Sequence, residues 1–432
     1  MKIGIVTDWS EQEIGIISHA FVETLSISHK IFIYHRSQGQ PASLEANWNP
    51  YNVTSGKKTR LATSDDIDWN DFKDWVSRNQ LDLILFFDQH SWDVVLKCHN
   101  LEVIIGAYVD YCSEETLPFF KLFDFLLCST LRHYNLFRDH PQVIYIPWGT
   151  DLTLFNQNQQ SSLHGVIRFL HSAGMGSLGP AKGTDVLLRA FKQVRGEVQL
   201  IITSHTNLDR SGSLARSIQS DSRVTLIEKT DANPSLYLLG DVFVYPTRLE
   251  SDSLTITEAL AAGLPVVTTD SPPMNETIRE DYNGRLVTVE RYEKRDDQYY
   301  WQESICWEIS LAQAMQYYAD HPEQVRLQKA HARQYAEAHL DWKVNSASLG
   351  ERVTGLKRSP NSLSLRMATS RFEHARLGED YLATALSGIR TRQGRLVFSH
   401  LLLAIWFSPV KLFDRRVPRI IIQTITGFFI RK

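Results

Sequence analysis

Residues 241–270 read DVFVYPTRLESDSLTITEALAAGLPVVTTD, and this stretch decides the fold. DVFVY and LPVVTTD are short runs rich in β-branched and aromatic residues, apolar on successive positions, as in strands covered on both faces of a parallel sheet. Between them, SLTITEALAAG has the aliphatic spacing of a helix, stopped by Gly263 and followed by Pro265. Strand, loop, helix and strand in that order make one βαβ unit, and parallel strands need such a crossover. The loop carries Glu250 and the helix carries Glu258.

The same alternation extends in both directions. Upstream, KIGIVTD, HKIFIYH, LDLILFF, LEVIIGAYV, FDFLLCST and VIYIPWG form a first array of apolar runs. VIRFLHSA, EVQLIITS and RVTLIEK, with the helix TDVLLRAFKQV, lead into the quoted unit and make a second. Two successive βα arrays predict an α/β protein with two doubly wound Rossmann-like domains, residues 1–155 and 166–357, whose sites lie at the C-terminal ends of their strands. The polar stretch NQNQQSSLHG, residues 156–165, has no periodicity and reads as the linker. Residues 301–356 are expected to be helical, and 358–432 form a basic amphipathic C-terminal tail.

A chain of 432 residues exceeds one ordinary core, which agrees with two domains. Hydrophobic content of 43% and charged content of 22% are those of a soluble globular protein, and a net charge of -3 gives no ground for a nucleic-acid partner. Cys98, Cys112, Cys128 and Cys306 have no C-x-x-C pairing and read as buried reduced thiols. The N-terminal MKIGIVTDW reads as a strand, not a signal peptide, and no apolar run reaches the ~20 residues a spanning helix needs, so a cytoplasmic location is expected. Charge is nonetheless segregated. From Arg358 onward 13 Lys/Arg stand against 4 Asp/Glu, a net of +9, which leaves -12 on the rest.

Two further patterns bear on chemistry. GMGSLG, residues 174–179, follows a strand and satisfies G-x-G-x-x-G, in which glycines let the backbone approach a pyrophosphate. The next helix starts only after Lys182-Gly183, so the inserted loop suits a phosphate clamp better than a tight dinucleotide turn; a solvated lysine on a flexible loop is the other reading. A nicotinamide oxidoreductase would place an acidic ribose ligand about 20 residues on, yet Glu197 stands before a strand rather than at its end. D-I-D at residues 66–68 precedes a helix and reads as a cap, and no metal constellation appears.

Four stretches in order carry a resemblance. The quoted unit resembles the E-x7-E region of retaining glycosyltransferases with the GT-B fold, especially glycosyltransferase family four. IPWGTDLTLF resembles that family's P-x-G-x-D-x-x-x-F signature, AKGTDVLLRAF its Lys-Gly stretch, and MNETIREDYNGRLV its later E-x-I-x-x-x-x-N-G segment. The resemblance covers about residues 1–350. It implies two facing Rossmann-like domains with a cleft between them and a UDP- or GDP-sugar donor. It implies no metal or other cofactor, because cationic side chains and helix dipoles meet the leaving diphosphate. Carboxylates accept hydrogen bonds from hydroxyls, and the family pattern places Glu250 at the donor sugar and Glu258 at the ribose. Lys182 matches the cation at the diphosphate. Gly174 at the strand end and Ser251, Asp252, Ser253 and Leu254 around the helix start complete the donor set. Two departures stand out. The family's extra arginine is replaced by Met175 and Ala181, leaving Arg248 as either the substitute cation or a scaffold residue. The family's Gly-Phe-Gly is replaced by Ser251-Asp252-Ser253, where either serine is expected to cap the helix and Asp252 to face solvent. In the first domain the same pattern makes Gly15 the remnant of the family's glycine-rich loop near the diphosphate, a helix-start glycine being the other reading. It makes His90, beside Asp88, and Asp110 strand-end catalytic candidates close to the reacting centre, a satisfied loop residue being the other reading.

The expectation is a retaining glycosyltransferase that moves a hexose from a nucleotide sugar to a hydroxyl of a glycan or lipid-linked acceptor, such as a glycolipid or envelope-polysaccharide precursor. A non-catalytic GT-B scaffold or partner subunit is the alternative. Basic residues flank Trp406, Phe407, Phe413, Phe428 and Phe429 in the tail, a composition suited to an anionic membrane surface at its inner face; packing on protein or on a second copy is the other reading.

Overall fold

The computed structural model of the chain describes residues 1–421 except 37–41, 43–47, 49–50, 60–65, 156–164, 175–179, 208–211, 231–233, 361, 391–393 and 419. The expected linker (apart from Gly165), the glycine stretch after Gly174, and Phe428 and Phe429 lie outside the described residues.

The apolar runs of the first array become β1 (Lys2–Thr7), β2 (Lys30–His35), β4 (Leu83–Phe87), β5 (Ile104–Tyr108), β6 (Phe125–Cys128) and β7 (Val143–Tyr145). An additional strand, β3 (Asn52–Ser55), is partly exposed and adds an edge. The sheet order is β3-β2-β1-β4-β5-β6-β7. The helices are α1 (Glu13–Ser26), α2 (Trp69–Asn79), α3 (Trp92–Cys98) and α4 (Leu131–Phe137). Asp68 caps α2 by accepting from the Asp71 amide at 2.9 Å, the role read from D-I-D.

The second array gives β8 (Ile167–Ser172), β9 (Val198–Ser204), β10 (Val224–Glu228), β11 (Val242–Tyr245), β12 (Val266–Thr269) and β13 (Gly284–Val287). These strands run parallel in the order β10-β9-β8-β11-β12-β13. Helices α5 (Thr184–Phe191), α6 (Ser213–Gln219) and α7 (Leu254–Ala261) connect them. Residues alternate between two cores: Val242 and Val244 of β11 pack with α5 and α8 (Glu308–Asp320), while Phe243 and Tyr245 pack with α7 and α9 (Pro322–His339). In each sheet the winding reverses beside the first strand, between β1 and β4 and between β8 and β11. In open α/β sheets such a reversal, beyond the C-terminal ends of the strands, is the usual ligand position.

One expectation fails locally. Residues 301–356 are not helical from their start: β14 (Val289–Glu293) and β15 (Glu303–Cys306) form an antiparallel hairpin, and helix begins at Glu308. Short helices α10 (Trp342–Asn345) and α11 (Leu349–Thr354) follow α9. The basic tail folds as two packed helices, α12 (Leu363–Arg390) and α13 (Gly394–Phe407). All four cysteines are buried free thiols. The chain makes two compact units, Met1–Tyr108 with Glu115–Leu126 and Gly350–Lys432, and Val109–Glu114 with Leu127–Leu349.

Candidate functional site

In the second unit the two loops at the winding reversal carry the predicted pair. Lys182 ends a short 3-10 turn, Pro180–Lys182, after β8, and Glu250 follows β11. Lys182 Nζ donates to Glu250 Oε1 at 2.7 Å. Tyr245 Oη donates to the same oxygen at 2.9 Å and Thr247 Oγ1 at 2.7 Å. Three donors on one carboxylate oxygen hold its orientation firmly, and Glu250 is buried. Burial lowers the Lys182 pKa, but Tyr245 and Glu250 outweigh it and raise the pKa above the ordinary lysine value, so the ammonium stays charged. Burial and the Glu250 charge together push the Tyr245 phenol up, keeping it a donor.

Backbone geometry explains why Lys182 is followed by glycine. Gly183 caps α5 at φ +70°, and a Cβ there would stand 2.0 Å from the Pro246 carbonyl oxygen. The loops also zip together, since the Arg248 amide donates to the Ala181 carbonyl at 3.0 Å. Gly174, at φ +68°, lies against the Lys182 stem: a Cβ there would be 3.7 Å from Lys182 Cε.

Arg248 is engaged by carboxylates. Its Nη2 reaches both Asp185 oxygens at 3.2 and 3.1 Å, and Nη1 stands 4.0 Å from Glu303, so it ties α5 to β15. Glu258 Oε2 accepts from Tyr237 Oη at 2.7 Å, and burial raises its pKa. Tyr237 sits on the 3-10 turn Pro234–Leu239 that leads into β11.

The Ser251-Asp252-Ser253 segment departs from expectation. Asp252 does not face solvent; it is 4% exposed and accepts from the hydroxyls of Ser129 and Ser251. The Ser129 hydroxyl donates to it and offsets part of the cost of burying its carboxylate, while the single Ser251 proton is shared with Asp110. Nor does a serine hydroxyl cap α7. Ser251 Oγ turns to Asp110, and Ser253, at φ +57°, precedes the helix with its own hydroxyl buried and without a hydrogen-bond partner among the described residues. Leu254 opens α7, whose Ile256 and Thr257 amides return to the Ser253 carbonyl. Asp110 is thereby joined to the Glu250 loop through Ser251.

Sequence reasoning passed over Arg132 and Glu276. Arg132 is 8% exposed, donates from Nη2 to the Glu250 carbonyl at 2.6 Å and from Nη1 to the Pro272 carbonyl at 2.9 Å, and lies 4.3 Å from the Trp301 ring. Glu276 accepts from the Leu131 and Arg132 amides at 2.7 and 2.8 Å. Arg132 thus clamps the chain that carries Glu250. The segment E-x-I, quoted for the resemblance, was the one signal pointing to Glu276.

In the first unit, Gly15 and His90 flank the other winding reversal. A Cβ on Gly15 would fall 1.8 Å from the Ser10 carbonyl oxygen, so α1 packs tightly under the loop after β1. His90 Nε2 pairs with Asp88 Oδ1, and Arg36 binds the Asp88 and Phe87 carbonyls. Burial alone would raise the Asp88 pKa, but His90 and Arg36 outweigh it and hold the carboxyl below its usual range.

Comparison with known proteins gives the fold an external reference. Residues 171–296 match the family model described as glycosyl transferases group 1. No curated protein matches significantly. Among solved structures, the chain is similar to a sucrose-phosphate synthase from Thermosynechococcus elongatus (17% identity, TM-score 0.65, 82% of this chain and 98% of that one). It is likewise similar to Anabaena HepE in complex with UDP and glucose (15% identity, TM-score 0.62, 82% and 100%). WaaG, a glycosyltransferase involved in lipopolysaccharide biosynthesis, aligns at 12% identity and TM-score 0.60, over 82% and 100%. The fold is the GT-B arrangement of two Rossmann-like parallel sheets, and the match to the group 1 glycosyl transferase model falls within the second array.

Proposed function

We propose that the chain is a retaining glycosyltransferase that moves a hexose from a UDP- or GDP-sugar to a hydroxyl acceptor of glycan or lipid-linked type. The observation that carries this is the convergence of Lys182, Tyr245 and Thr247 on one oxygen of Glu250 at the winding reversal of the group 1 region. A carboxylate held in that way offers acceptor capacity to sugar hydroxyls. The Lys182 ammonium, kept charged beside it, meets negative charge growing on a leaving diphosphate. The first amides of α7, lying between Glu250 and Glu258, point the same positive end of the helix toward that diphosphate. Glu258, set by Tyr237, takes the ribose diol. Asp110 is the acceptor-side group tied to the Glu250 loop, and His90 with Asp88 belongs to the acceptor side by its place at the first reversal. In a retaining reaction the acceptor oxygen attacks the anomeric carbon on the face the diphosphate leaves, and its proton passes to the departing diphosphate.

One observation favours the second reading, a GT-B scaffold without activity. The buried Asp252 carboxylate occupies the segment where the family resemblance puts glycines, and a fixed negative charge there opposes diphosphate binding. Calorimetry with UDP, GDP and their sugars separates the two. The transferase reading expects saturable binding of one nucleotide and its sugar, and a scaffold binds none.

A further inference from the structure

The tail of this chain has three faces, and two of them are used. Leu377, Tyr381, Leu382 and Ala385 of α12 close a core with Val397, Leu401 and Ala404 of α13. A second face of α12 packs on the first unit: Phe372 meets the Phe119 ring at 5.2 Å, and Ser91 Oγ donates to Glu373 at 3.2 Å. Among the described residues the third face is apolar and uncovered. Trp406 is 79% exposed, Val410 75% and Phe413 87%, with Leu402 and Leu412 each at 54%. Leu402 and Trp406 lie one helical turn apart on α13, and after the break at Ser408 (φ -141°, ψ 89°) the turn Pro409–Phe413 exposes Val410, Leu412 and Phe413.

This exposure is fixed in place. Lys411 pairs with Glu379, and Arg416 pairs with Glu379 and Asp414, strapping the turn to α12 while its apolar side chains stay outside. Five large exposed hydrophobic residues between positions 402 and 413 exceed the scatter of single exposed side chains and mark an interaction surface.

We propose that this ridge, Leu402, Trp406, Val410, Leu412 and Phe413, seats the protein on an anionic lipid surface. Charge selects that occupant. The segment from Arg358 carries a net +9 against -12 for the remainder, and Arg415 is exposed beside Phe413. A second copy docking ridge to ridge would bring two such positive segments together, whereas an anionic leaflet complements the charge and accepts tryptophan and phenylalanine at headgroup depth. No helix among the described residues is long and apolar enough to cross a membrane, so the contact is in the plane of the surface. The inference does not depend on the proposed transfer reaction.

Co-sedimentation of the full chain with vesicles tests it. The parent protein is expected to pellet with phosphatidylcholine–phosphatidylglycerol vesicles far more than with phosphatidylcholine alone, and less at high salt. Substituting Trp406→Ser, Val410→Ser and Phe413→Ser together should weaken the partition by roughly tenfold or more. Ile27→Ser, at an 85% exposed position outside the tail, should leave it unchanged. If the triple variant melts early, Phe413→Ser alone serves, with a smaller loss expected. The proposal is overturned by a parent that stays in the supernatant with anionic vesicles, by ridge variants that pellet as well as the parent, or by a parent dimer in light scattering that the ridge variants dissociate.

Discussion

Gly183 shows how a single position fixes the site. Its φ of +70° and the 2.0 Å approach of the Pro246 carbonyl leave no room for a side chain. Gly183→Ala is expected to cost on the order of 2–3 kcal/mol, read as a lower melting temperature, and to displace Lys182 at the same time. Asp252 is the position where charge opposes the proposed ligand. Asp252→Asn keeps the shape and removes the charge, so UDP or GDP should bind about tenfold tighter by calorimetry, about 1.4 kcal/mol. Unchanged affinity would place the diphosphate away from this segment. That Lys182 and Glu250 each follow a strand end was legible because strand, loop and helix stand there in local order. The burial of Asp252 was not, because its partner Ser129 lies 123 positions away, and nothing local distinguishes an aspartate bound there from one in water. Arg132 was hidden for the same reason, its partners Glu250 and Pro272 being 118 and 140 positions distant.

At the level of elements, β8 is locked to its neighbours through a buried histidine. His171 Nδ1 meets the Val244 carbonyl at 2.9 Å and Nε2 meets Thr184 Oγ1 at 2.8 Å, joining β8 to β11 and α5. Burial pulls its pKa down from 6.5 to about 4. With the folded value depressed, the unfolded chain binds the proton first, so stability falls as pH drops through the interval from 6.5 to about 4. His133 adds to this, its burial and the adjacent Arg132 lowering it to about 3. Denaturant titrations should show stability rising by about 1.4 kcal/mol per pH unit for each such group across that interval, and His171→Gln should reduce the slope by one such increment. A slope unchanged by His171→Gln would contradict the assignment. The strands of both sheets were readable because runs apolar on successive positions have few other uses at that length. The β14–β15 hairpin was not readable: Glu290 and Arg291 are exposed, and polar strand residues carry no pattern that separates them from a helix surface.

At the level of the whole molecule, the winding order places the predicted pair. Strand order alone puts the loops after β8 and β11 at a ligand crevice, and Lys182 and Glu250 arrive there from opposite flanks, 68 positions apart in sequence. If that crevice holds a nucleotide sugar, the ligand stabilises the fold by mass action, about 2.7 kcal/mol at a hundredfold excess over Kd. A thermal-shift panel of UDP- and GDP-sugars should therefore raise the melting temperature for one donor and leave the others near baseline. The most direct test of the central claim is release of UDP or GDP from that donor, with and without acceptor sugars, by the parent, Glu250→Ala and Lys182→Ala chains. Nucleotide release is expected from the parent, with at least a roughly hundredfold loss in each variant and each variant still folding cooperatively. Full activity in either variant would contradict the claim.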